Sequence, residues 1–130
     1  MSEIAGSALV LDEGLSLWGG MDPATGQLID VRHPQHGASL TGRVVVMPSG
    51  RGSSSSASVL AEAVRAKTAP AAILLGEPDL ILSIGSVVAE ELYGVDVPVV
   101  VLAADVLASI PDGAKVRIAD DGGITIEEGR

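Results

Sequence analysis

Arg43-Val44-Val45-Val46-Met47-Pro48-Ser49-Gly50-Arg51-Gly52-Ser53-Ser54-Ser55-Ser56 runs directly into Ala57-Ser58-Val59-Leu60-Ala61-Glu62-Ala63-Val64-Arg65-Ala66. The β-branched run Arg43–Met47 predicts a short buried strand. Pro48 to Gly52 is rich in turn formers. A helix is predicted over roughly Ser56–Ala66, because Val59, Leu60, Ala63 and Val64 share one face while Glu62 and Arg65 face water. Strand, tight glycine turn and amphipathic helix form one α/β unit.

The same alternation continues downstream. Ala71–Leu75 reads as a strand, Ser86–Leu92 as a helix stopped by Gly94, Val97–Leu102 as a third strand and Asp105–Ile110 as a short helix. Lys115–Ala119 and Ile124–Glu127, joined through Asp120-Asp121-Gly122-Gly123, read as a closing hairpin. Upstream, Ser7–Leu11 and Gln27–Val31 have strand composition. The stretches Leu17–Gly26 and Arg32–Gly37 are dense in turn residues. The expectation is one mixed α/β layer domain spanning residues 1–130, without repeats or a long linker.

Composition sets outer limits. With 130 residues, 47% of them hydrophobic, the chain can bury a core. There is one Trp, one Tyr and no Phe, so Val, Ile, Leu and Ala must fill that core. The longest apolar runs fall far short of the roughly 20 residues that span a bilayer. No basic region precedes an apolar stretch at the N-terminus, so no signal peptide is read and a cytoplasmic location is expected. A formal charge of −9 with scattered Lys and Arg argues against nucleic-acid binding. Cysteine is absent, so this chain builds no disulfide, thiolate nucleophile or Cys-held metal site.

The serine run Ser53–Ser56 could be a flexible linker, but it connects a buried strand to a helix too tightly for that. It could cap the helix, which accounts for one serine and not four. The functional reading is geometric. Gly50 and Gly52 let the backbone come close to a ligand, and the helix behind them points free N–H groups and its positive end at the turn. A carboxylate or phosphate is the natural guest. A serine hydroxyl is a weak base or nucleophile unless activated, and no Asp, Lys or His adjoins the turn in sequence. The residues therefore describe half a site, an anion cradle whose electrophile sits elsewhere.

At this turn Gly50-Arg51-Gly52-Ser53-Ser54 resembles the Gly-x-Gly-Ser-Ser turn of the swivelling domain of aconitases. More of the chain resembles the small subunit of the aconitase X group. The matching stretches are Trp18–Gly26, Ile29–Pro34, Gly42–Ser53, Ala69–Ile73 and Ile84–Glu91, in family order. The resemblance implies a swivelling β/β/α fold and a hydro-lyase activity that requires a larger partner. That partner's cysteines would hold an iron–sulfur cluster. It implies Ser53 as the base that removes the proton α to a small carboxylate substrate, with Gly50, Arg51, Gly52, Ser54 and Ser55 in the substrate-binding turn. Aconitase itself carries an arginine where this chain has Ser55, so a clamping arginine would be Arg51, Arg32 or the partner's. Within the group, some members dehydrate cis-3-hydroxy-L-proline and others phosphomevalonate. The Ser53–Ser56 run and Val88–Gly94 resemble the former.

Three further residues carry two readings each. Trp18 is either a core plug over the sheet end or, with Gly19 and Gly20, a wall of the substrate cleft. Asp22 before Pro23 is a turn former or an acid in the site. His33 before Pro34 binds a carboxylate or satisfies a loop hydrogen bond. Outside enzymes, the same residues could make a non-catalytic anion-binding or regulatory module. A self-contained serine hydrolase would need His33 or His36, with an acid, beside Ser53.

Overall fold

The computed structural model describes residues 3–50 and 55–127. In chain order the elements are β1 (Ile4–Val10), α1 (Leu17–Gly20), β2 (Val44–Met47), α2 (Ser56–Ala66), β3 (Ala72–Leu75), α3 (Leu80–Tyr93), β4 (Val99–Val101), α4 (Ala104–Ala108), β5 (Lys115–Ile118) and β6 (Ile124–Glu127). One sheet results, with strand order β4-β3-β2-β1-β5-β6. The β1-β2-β3-β4 half is parallel, and β5 and β6 continue it antiparallel.

Strand alternation sends the core to both faces. Leu9, Val45, Met47, Ile73 and Leu75 point to one side, where Leu60, Ala63 and Val64 of α2 and Leu82 and Ala89 of α3 cover them. Leu11, Leu15, Leu17, Met21, Leu28 and Leu40, from the long connection between β1 and β2, extend that cover. Ala8, Val44, Val46, Ala72 and Leu74 point to the other side, against Leu107 of α4 and Val116 and Ile118 of β5. All four residues of β2 and all four of β3 are buried, as a strand covered on both faces requires.

Three expectations needed correction. Gln27–Val31 is not a strand: only isolated bridges, Met21 to Leu28 and Gln27 to Ser39, form there. Asp30 turns the chain instead, accepting from the Arg32 amide through Oδ1 at 3.0 Å and from the His33 amide through its carbonyl at 3.1 Å. Local turn bonds outcompete the strand propensity of Ile29 and Val31. The helix expected from Ser86 starts at Leu80, where Asp79 Oδ1 accepts from the Leu82 amide at 3.0 Å and caps it. β4 is confined to three residues behind Pro98, which has no N–H to give a ladder. The Gly94 stop is present, in left-handed geometry at φ 68°. No helix among the described residues is long and apolar enough to cross a membrane.

Candidate functional site

The glycine–serine turn leaves β2 at the carboxyl end of the parallel strands, the edge where open α/β sheets take ligands. Ser53, Arg51, Gly52 and Ser54 lie outside the described residues; the two ends of the turn are within them. At the first end, Gly50 bridges Leu15 in parallel fashion. Its Cα faces α3: a Cβ added there would run into Asp79 Oδ2 and come within 3.3 Å of Leu82 Cδ1. A side chain at this position would have to displace the Asp79 carboxylate that caps α3.

At the second end, Ser55 precedes α2 and Ser56 opens it. Ser56 is buried, and its Oγ accepts from the Trp18 amide at 3.3 Å. Ser16 Oγ lies 3.4 Å from Ser56 Oγ and donates to the Trp18 carbonyl at 3.1 Å. Because the Ser16 proton is committed to that carbonyl, Ser56 donates to Ser16. The two hydroxyls thus clip the Trp18 turn to the head of α2. Trp18 itself is 59% exposed, which corrects the core-plug reading. Gly19, at φ 78°, has open space around it, whereas Gly20 is packed so that a Cβ would come within 2.6 Å of Leu15 Cδ1.

The other two residues are elsewhere occupied. Asp22 Oδ1 accepts from the Ala24 amide at 2.9 Å, and its carbonyl accepts from Thr25 and Gly26 at 3.2 and 2.7 Å. That is the turn-forming role. His33 is 4% exposed. The Gln35 amide donates to its Nδ1 at 3.0 Å, so Nε2 carries the proton and donates to the Glu13 carbonyl at 3.1 Å. With both ring nitrogens engaged, His33 closes its loop and offers neither a carboxylate contact nor a hydrolase base. The expectation of His33 as a substrate ligand is corrected on this ground.

Ser16 and Asp79, which with Ser56 organise the site, were not singled out from sequence, and Ser56 was read only as a member of the serine run. For Asp79 a signal existed: an acid directly before an apolar run is a helix-start signature. For Ser16 and Ser56 none did, since their pairing spans 40 positions. Among the described residues no group of three or more His, Asp or Glu side chains could hold a metal ion. The chain also lacks the thiolates an iron–sulfur cluster takes.

The comparisons with known proteins agree with this architecture. The chain is 48% identical over 123 residues to a cis-3-hydroxy-L-proline dehydratase of Pseudomonas aeruginosa, covering 90% of this chain but 21% of that protein. It therefore spans about a fifth of the length of that relative. It is 38% identical over 120 residues to a phosphomevalonate dehydratase small subunit of Methanothermobacter thermautotrophicus, covering 92% of this chain and 88% of that one. The crystal structure of Thermococcus kodakaraensis aconitase X in its holo-form superposes with a TM-score of 0.85 at 30% identity, covering 98% of this chain and 92% of that one. The family model for the aconitase X swivel domain matches residues 1–127. The sheet order, the serine turn at its carboxyl edge and these likenesses together place the chain in the aconitase X swivel-domain family.

Proposed function

We propose that this chain is the small, swivelling part of a cytoplasmic dehydratase of the aconitase X type, and that it acts on cis-3-hydroxy-L-proline. The observation that carries the reading is the serine turn, fixed at Gly50 and at Ser56 and flanked by an exposed Trp18. The 48% identity to the Pseudomonas enzyme supports that substrate over phosphomevalonate. In this reading Ser53 takes the proton α to the substrate carboxylate. The free amides and positive end of α2 favour the seryl anion and the carboxylate charge that grows as the proton leaves. Ser54, Ser55 and Arg51 add donors to that carboxylate. Gly50 and Gly52 let the backbone approach it, and Trp18 with Gly19 and Gly20 walls the cleft. Asp22 and His33 hold the neighbouring loops.

Departure of the hydroxyl needs an electrophile that this chain does not supply. A larger partner, holding an iron–sulfur cluster on its own cysteines, provides it in this reading. The names of several relatives as small subunits support a partner of that kind.

The test is reconstitution with the large dehydratase subunit, assayed against cis-3-hydroxy-L-proline and phosphomevalonate. Turnover of the first is expected, and Ser53→Ala should abolish it while the far-UV circular dichroism and melting of the chain stay unchanged. Full activity in the Ser53→Ala complex removes Ser53 as the base. A folded chain that binds small carboxylates but forms no active complex is instead a binding module.

A further inference from the structure

Helix α3 carries two apolar faces. Leu82, Gly85 and Ala89 are buried against the sheet and α2. On the opposite side Leu80, Ile84, Val87, Val88 and Leu92 are 75, 47, 62, 37 and 64% exposed. Their spacing of four, three, one and four residues draws a stripe along the whole helix. A row of five large aliphatic side chains in water is the mark of an interaction surface. The stripe starts at the active-site turn, since Leu80 follows Asp79, whose carboxylate lies against Gly50.

Charge selects the occupant. Across residues 76–96 the charged side chains are Glu77, Asp79, Glu90, Glu91 and Asp96, all acidic. A second copy laid on the stripe would set acid against acid, on chains that each carry −9. A body with an apolar face and a basic rim would match it.

We propose that the exposed face of α3 is the surface on which the large dehydratase subunit docks, through an apolar strip flanked by Lys and Arg. The proposal rests on the reading that this chain works with such a partner, and adds where the two meet. Docking there brings the partner against the head of α3, directly beside Gly50, so the contact that holds the complex also registers the serine turn with the partner's half of the site.

The experiment compares the wild-type chain, the Ile84→Asp/Val87→Asp double variant and Ser53→Ala for affinity to the large subunit by calorimetry, alongside turnover. Both substituted α3 positions are exposed, so circular dichroism and melting of the double variant should match wild type. Its affinity should fall by roughly a hundredfold or more, because docking would bury two unpaired carboxylates. Ser53→Ala should lose turnover and keep affinity. Unmodified chain should also show amide-exchange protection of residues 80–92 in the complex, a readout that stands even if the double variant misfolds. Unchanged affinity of the folded double variant, or no protection of α3, overturns the docking surface while leaving the dehydratase reading intact. A wild-type chain that dimerises alone, and is made monomeric by the double variant, assigns the stripe to a second copy and also overturns it. Absence of any complex with the wild-type chain removes both.

Discussion

Helices α2 and α3 lie side by side on the same face of the sheet, yet their outer surfaces have opposite characters. Both are rooted in one core: Leu60 and Leu82 are buried to 0 and 2% exposure. Their backbones approach so closely that a Cβ on Gly85 would come within 3.0 Å of Ala57 Cα. Outward, α2 presents Ser58 and the Glu62–Arg65 pair, whereas α3 presents an uncovered aliphatic stripe. α2 is finished as a surface helix of a free-standing domain. α3 is finished on one side only, which marks where this domain expects a neighbour.

Substitutions at three places would break or sharpen that contrast. The largest effect belongs to the shared root. Leu60→Ala and Leu82→Ala should each destabilise the chain by about 2–5 kcal/mol in urea unfolding, since each removes a fully enclosed side chain. A markedly smaller loss for Leu82→Ala would mean that α3 is held more loosely than α2. Next comes the head of α3. Asp79→Ala removes the acceptor of the Leu82 amide and should cost about 1 kcal/mol, while Asp79→Asn should retain most of it. Equal losses for both variants would show that the carboxylate charge beside Gly50, rather than the cap, is what matters.

The smallest effect is on the outer face of α2. Bidentate contacts at 2.6 and 2.7 Å from Arg65 hold the Glu62 carboxyl below its ordinary value. A depressed carboxylate contributes stability that is present above its unfolded value and lost as pH falls through the folded one. Both side chains reach solvent and are screened by it. Glu62→Gln should therefore leave the melting temperature unresolved from wild type at neutral pH, with the two curves coinciding in acid. A clear drop would make this pair more than a solvated surface contact.

How far the residues alone could be read depends on the range of the forces involved. α2 was legible to the residue, because its apolar stripe, its serine start and its charged outer face all act within a few turns of chain. β2 and β3 were legible because continuous β-branched and aliphatic runs bounded by turn formers have few other uses. The first half of α3 was not, because Leu80 to Gly85 is apolar on both faces and shows no helical stripe against a polar background. Gln27–Val31 misled because Asp30 and His33 bond to their own turn, a choice propensity does not record.

The site divides along the same line. The glycine–serine turn announced an anion cradle from its residue types, since free amides at a helix start and small residues around them are local properties. Trp18, Asp22 and His33 each had two readings that residue type could not separate. Asp22 is taken up by its own turn, whereas for Trp18 and His33 contacts from distant parts of the chain bear on the choice. A hydroxyl of Ser56 binds the Trp18 amide and leaves the ring outside, while the Glu13 carbonyl and Gln35 amide consume both nitrogens of His33. The sequence by itself determined the α/β layering and pointed to one turn as the place for an anion, because these readings follow from periodicity and short-range residue types. Which loop residues are free to meet a ligand, and which helix face is left for a partner, depended on pairings across tens of positions that exist only once the chain has folded.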